Sequence, residues 1–230
     1  LAVGEGKDPP TFIVHKKILC AYSPFFEAAC KPEWMKPEDR VIKLPEDDPE
    51  TIKAVVYWMY NNDICIPKSK VKVLQSWKED GMQTAWGLLV KLFIAGDKFQ
   101  IPRLKNGTIS ALVSLWQMGE SSLTPTNIVR FAFDHTSDES PLRKALIMML
   151  LYEFDGKNAG NLEELRSELS AEALFELVLK LQTYVSKLTE DSEFEALDSP
   201  AVGLCEKFHD HTNDSETSRK KCPGLKAFVQ

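Results

Sequence analysis

The densest group of chemically capable side chains lies late in the chain. There Cys205-x3-His209-x-His211-x10-Cys222 gathers two thiols and two imidazoles within eighteen residues. Zinc favours that ligand set in tetrahedral sites, and His209 and His211 can chelate from an extended segment. The spacing matches no zinc-finger pattern, because the usual Cys-x2–4-Cys pair is missing. A structural zinc therefore stands against an unmetallated, flexible tail, and the spacing weighs toward the second. Catalytic zinc is disfavoured, since four protein ligands leave no open position.

Other reactive residue types have plainer readings. His15 has no nucleophile and no orienting group beside it, so a structural histidine bonding to backbone is expected. Cys20 and Cys30 flank an apolar segment and read as buried, inert thiols. Gly4-Glu5-Gly6 lacks the third glycine of a phosphate loop and runs into Asp-Pro-Pro and a strand, not a helix. Asp47-Asp48 resembles a cation pair, but Asp48 before Pro49 is better explained as a helix cap. Five tryptophans (Trp34, Trp58, Trp77, Trp86, Trp116) read as core or interface. No constellation points to an enzyme.

Bulk properties narrow the class further. The chain has 230 residues, 43% of them hydrophobic, enough to bury a sizeable core in one or two domains. A net charge of −6 gives no electrostatic reason to expect nucleic acid. Arg219-Lys220-Lys221, the one tight basic cluster, reads as solvated. The most apolar stretch, 145–152, fits a buried helix and is too short for a membrane span. An odd, widely spaced set of five cysteines (Cys20, Cys30, Cys65, Cys205, Cys222) suggests a reducing compartment, cytosol or nucleus. The start at Leu1 reads as a fragment.

The elements that must position these residues can be traced from capping and periodicity. Residues 1–3, the turn formers 4–10 and the β-branched run 11–15 make a hairpin whose first strand lacks its beginning. Ser23-Pro24 opens a helix with a cap and an N1 proline, and Asp48-Pro49 repeats the device. Between them Val41–Leu44 is a short strand. Residues 67–86 are mixed, with Val71, Val73, Leu74 and Trp77 allowing a short helix or a covering loop. Helical spacing returns over 86–99 and about 102–116. A second helical region starts near Pro125. It contains a helix opened at Ser140-Pro141, again a cap and an N1 proline, and running to about Phe154, then a linker with Gly156 and Gly160, and a helix capped by Ser170. That last helix carries Leu174, Leu177, Val178, Leu181, Val185 and Leu188 as its apolar stripe, with Leu169 and Leu174 as a hydrophobic staple.

Three blocks in order carry a family resemblance. "TFIVHKKILCAYSPFF" (11–26), "IKLPEDDPE" (42–50) with Met59-Tyr60, and "LFIAGDKFQIPRLK" (92–105) resemble the BTB/POZ domain, in the form abundant in filamentous fungi. The resemblance implies an α+β fold: a small three-stranded sheet packed under a helical bundle, here with an α-helical C-terminal extension. It also implies pairing with itself or another BTB protein through the first helix and N-terminal strand, which places Leu19, Phe25, Phe26 and Ala29 near an interface. Members that recruit a cullin scaffold use a hydrophobic residue, any residue, then Glu after the first helix. The matching position is Met35-Lys36-Pro37, with Pro where Glu is expected and Glu38 one residue late, which weighs against that role.

The expected organisation is a BTB/POZ-like domain over 1–117, a helical extension over 118–188 and a flexible acidic and polar tail over 189–230. The expected function is non-catalytic protein–protein association as scaffold or adaptor. Substrate adaptor of a cullin-based ubiquitin ligase and zinc-binding regulator are the alternatives. No nucleic-acid partner, membrane span or cofactor is expected, apart from the zinc left open in the tail.

Overall fold

A computed structural model describes residues 1–31, 33, 41–67, 70, 80–118, 124–153, 168–190 (backbone only at 187–190), 199–212 and 222. Strand β1 (Ala2–Val3) pairs in parallel with β2 (Lys43–Leu44), Ala2 opposite Lys43 and Val3 opposite Leu44. The expected hairpin is present but brief. Ala2 bridges Thr11 in antiparallel sense, Val3 N–H donates to Pro10 O (3.0 Å) and Phe12 N–H to Leu1 O (2.8 Å). Gly4 and Gly6 take φ of +89° and +121°, which the turn between them requires.

Among the described residues the sheet thus has two strands and one isolated bridge, not three strands. In the register that sets Ala2 against Thr11, Ile13 would face a position before Leu1. Ile13 is 96% exposed, and three residues later the chain turns into α1 (Lys16–Tyr22). This helix was hidden in the sequence, because only Leu19 of its seven residues is buried and no periodicity shows.

Helix α2 (Pro24–Ala29) starts as its cap and proline dictate. Ser23 Oγ accepts from Phe26 N–H (3.1 Å) and donates to Phe99 O (2.6 Å), so one buried hydroxyl caps α2 and ties it to a distant helix end. Helix α3 (Pro49–Asn61) is capped by Asp48, whose carboxylate accepts from the backbone N–H (3.0 Å) and hydroxyl (2.7 Å) of Thr51. It ends at Asn62, with φ of +50°.

Helix α4 (Ala85–Lys98) is the centre of the molecule. Its buried residues, Trp86, Leu88, Leu89, Val90, Leu92 and Phe93 among them, face every direction, as expected of a helix enclosed on all sides. It packs on α3, on α5 (Pro102–Met118), on α6 (Thr126–His135) and on a single 3-10 turn at Gly81–Gln83. Gly87 permits the last contact: a Cβ there would lie 2.2 Å from Met82 O.

Helices α6, α7 (Pro141–Glu153) and α8 (Ala171–Glu190) form the extension and pack on one another. Ser170 caps α8 by accepting from Ala173 N–H (3.2 Å), and Leu169 is buried beside the half-buried Leu174. Two expectations fail here. The Ser140 hydroxyl makes no hydrogen bond, so α7 starts on its proline without a side-chain cap. Val178 and Val185 are exposed, because the face turned to the core is the one bearing Ala173, Leu174, Leu177 and Leu181, and these two valines lie beside it.

The expected flexible tail is also corrected in part. Residues 199–212 fold back, and the short α9 (Leu204–Phe208) packs on α5 and α7 with Leu204 and Phe208 buried. Two apolar anchors four residues apart supply the burial that the polar composition hid. Met35, Glu38, Trp34, Trp77, Val71, Val73, Leu74, Phe154, the 154–167 linker, the Leu188 side chain and Arg219-Lys220-Lys221 lie outside the described residues. No described helix is long and apolar enough to cross a membrane.

Candidate interaction face and metal centre

The sequence-derived interface residues divide into two pairs. Leu19 and Phe26 are 5% and 1% exposed and belong to the core of the single chain, a correction to their placement on an outer surface. Phe26 stacks on Phe99 at 4.8 Å, which accounts for its inward orientation. Phe25 and Ala29 stay partly open. With Pro24 and Ala28 they form one wall of an open groove of about 490 Å³, completed by Val41, Ile42, Lys43 and Gln100. Phe25 leans on Phe26 and Phe99 (5.2 and 5.3 Å between ring centroids), so the groove rests on a rigid aromatic base. Lys43 is the one charged residue among its described lining.

His15 does not bond a backbone carbonyl. Its Nδ1 lies 2.6 Å from Tyr60 Oη, and its backbone N–H donates to the same oxygen (3.0 Å). Cys30 is buried and Cys20 half-buried, both with free thiols. Burial pushes the Cys30 thiol up, and the adjacent Cys20 adds to the shift. The expected burial holds for Cys30 and only in part for Cys20.

The four late Cys and His residues come together although they lie on different segments. Cys205 sits in α9, His209 caps its end, His211 follows in extended chain and Cys222 returns from further on. Their ligating atoms all lie within 4.8 Å of one another, and all four residues are half-buried. Cys205 Sγ is 3.0 Å from His211 Nε2, and Cys222 Sγ is 3.1 Å from His209 Nδ1. With no cation present, burial and the neighbouring Cys222 push the Cys205 thiol up to about 11. Burial first, and His211 second, hold His209 down to about 4. Both shifts favour the neutral forms of Cys205 and His209.

Helix α5 supplies the floor. The Asn106 side chain brackets the Asp210 backbone, its Nδ2 donating to Asp210 O and its Oδ1 accepting from Asp210 N–H (both 2.8 Å). Ser110 Oγ lies 3.0 Å from His209 Nε2. The Asp210 carboxylate accepts from Thr212 N–H (2.9 Å) and Thr212 Oγ1 (2.5 Å), closing the turn between the histidines. Sequence reasoning missed Asn106 and Ser110. The available signal was two polar residues four apart, on one face of a helix whose neighbours are apolar.

Two further polar centres were missed. Arg143, 3% exposed, donates to Asp138 Oδ1 (3.1 Å), Glu172 Oε1 (2.7 Å), Thr136 Oγ1 (3.2 Å), Phe133 O (2.7 Å) and Thr136 O, and stacks on the Phe133 ring at 4.5 Å. It joins α6, α7 and α8. Glu153 Oε1 accepts from Trp116 Nε1–H (2.8 Å), Thr124 N–H (2.9 Å) and Thr124 Oγ1 (2.8 Å). Those donors favour the anion, but burial outweighs them and raises the carboxyl to about 7.

The first part of the chain, a short sheet edge beneath an enclosed helix, is an α+β domain whose open face is an apolar groove. Residues 1–114 match the family model of the BTB/POZ domain, and this part of the chain belongs to that family of protein–protein interaction modules. The family is typically non-enzymatic. No solved structure matches the chain.

Proposed function

We propose that the protein is a non-catalytic homotypic association module, in which the α2 groove receives the same face of a second copy. The observation that carries this reading is the groove itself: Phe25 and Ala29 are partly open, Val41 is 43% exposed, and Lys43 is the one charged residue among its described lining. A two-fold interface presents one surface to itself, so it must be self-complementary, and an apolar, nearly uncharged wall meets that condition without like-charge repulsion. Burial of such surface stabilises by roughly 25 cal/mol per Å² before the costs of association. Reducing-compartment chemistry is consistent with the five free thiols.

The test is light scattering behind size-exclusion chromatography at micromolar concentration. A particle of twice 26.0 kDa is expected, falling to the monomer in Ala28→Glu, which places a charge on the groove wall at an exposed helical position. A monomer for the parent chain, or a dimer untouched by Ala28→Glu, overturns the reading.

A further inference from the structure

We propose that Cys205, His209, His211 and Cys222 bind one zinc ion in a closed, structural site that staples the segment after α8 onto α5 of the BTB/POZ domain. The juxtaposition carries the argument. Four ligands of the types zinc prefers converge within 4.8 Å from chain positions seventeen residues apart at the extremes. A tetrahedral ion with bonds of about 2.0–2.3 Å sets its ligand atoms roughly 3.3–3.8 Å apart, so a contraction of about 1–1.5 Å at most completes the shell. Two of the contacts, at 3.0 and 3.1 Å, are already closer than that.

The surroundings favour an ion over a chance gathering of side chains. Metal-bound histidines characteristically donate their second ring nitrogen to a fixed acceptor. His209 directs Nδ1 at Cys222, while its Nε2 rests against Ser110 Oγ, which is 1% exposed and anchored on α5. Asn106 holds the peptide between the two histidines by both its donor and its acceptor. Both ligand positions are therefore fixed by a helix of the other region. On binding, each thiol loses its proton to solvent. Two thiolates then balance the dication, and the half-buried site stays neutral. With all four positions filled by protein there is no place for water or substrate, so the role is structural.

Ser110 is a positioning residue here, acting through His209. The ion links α9 and Cys222 to α5 and so binds the end of the extension to the interaction domain. This inference is independent of homotypic pairing.

The experiment is elemental analysis of the full chain purified without chelator, followed by replacement with cobalt(II). One zinc per chain is expected, together with the visible absorption of tetrahedral cobalt bound by two thiolates. Cys205→Ser and His211→Ala are expected to lose the metal, and Ser110→Ala to weaken cobalt affinity roughly 10–100-fold while keeping the tetrahedral spectrum. Removing zinc is expected to speed hydrogen exchange at 204–212 and leave α4 protected, a readout that does not depend on any variant folding. A parent chain that takes up neither ion at micromolar concentration overturns the inference. So does uptake unchanged in a Cys205→Ser/Cys222→Ser double variant, or an intact mass showing a Cys205–Cys222 disulfide.

Discussion

The two halves of the molecule are held together in different ways. Around α4 the contacts are apolar: Trp86, Leu89, Phe93 and Phe99 are fully buried and the polar groups mostly serve as caps. In the extension, helices meet across buried polar centres. Arg143 joins three helices, Glu153 ties the end of α7 to Trp116 and Thr124, and Asn106 grips the returning chain. Apolar packing depends on area and tolerates small changes of shape. A buried ionic hub is all or nothing, because removing one member leaves the others desolvated and unpaired.

The largest expected effect comes from Arg143→Ala, which orphans Phe133 O, Thr136 O and Glu172 at once. A loss of about 3–5 kcal/mol in urea-induced unfolding is expected. A loss below about 1 kcal/mol would erase the distinction between the halves.

Leu89→Ala on α4 is expected to cost about 2–5 kcal/mol through lost burial and the cavity left behind. Its effect should be the same at pH 5 and pH 8, since no ionisable group takes part.

The extension is expected to respond to pH where the first half does not. The Glu153 carboxyl rises from 4.5 unfolded to about 7 folded. Between those values the folded state holds the Glu153 proton more often than the unfolded state. Set against the opposite trend from His209, whose stabilisation is lost as pH falls from 6.5 toward about 4, the Glu153 contribution to stability is greatest below about pH 4.5 and falls as pH climbs through about 7. The expected loss is up to about 3 kcal/mol. Glu153→Gln keeps an oxygen to accept from Trp116 and Thr124 and should flatten this dependence in thermal melts across pH 5–8.

The smallest change is Asp48→Ala, which removes the α3 cap at a cost of about 1 kcal/mol. A larger loss would show that the first half also relies on polar anchoring.

The same contrast decides what could be read from sequence. Caps at Ser23, Asp48 and Ser170 and the helical spacing of 86–99 were legible, because they are local and their signals lie within a few residues. The three ordered blocks identified the domain family. The α1 helix was not legible, with one buried residue in seven, nor was the end of the sheet, which register decided. The Cys/His set was visible as residue types but not as a site, since its spacing says nothing of Ser110 or Asn106 a hundred positions earlier. Arg143 carries no local signal; only the approach of α8 makes it a hub. Polar anchoring leaves at most a short trace, such as Asn106 and Ser110 one helical turn apart.

The Asn106–Asp210 clasp also sets an order of events during synthesis. Its partners are 104 residues apart, so α5 emerges from the ribosome long before the segment that will cover it. Domains generally fold as units during translation, the N-terminal one first. The apolar domain can compact at that stage, with Asn106 and Ser110 facing water. The clasp can close only once residue 210 has also emerged, so a nascent chain stalled before that point would carry a folded first domain whose Asn106 and Ser110 still face water.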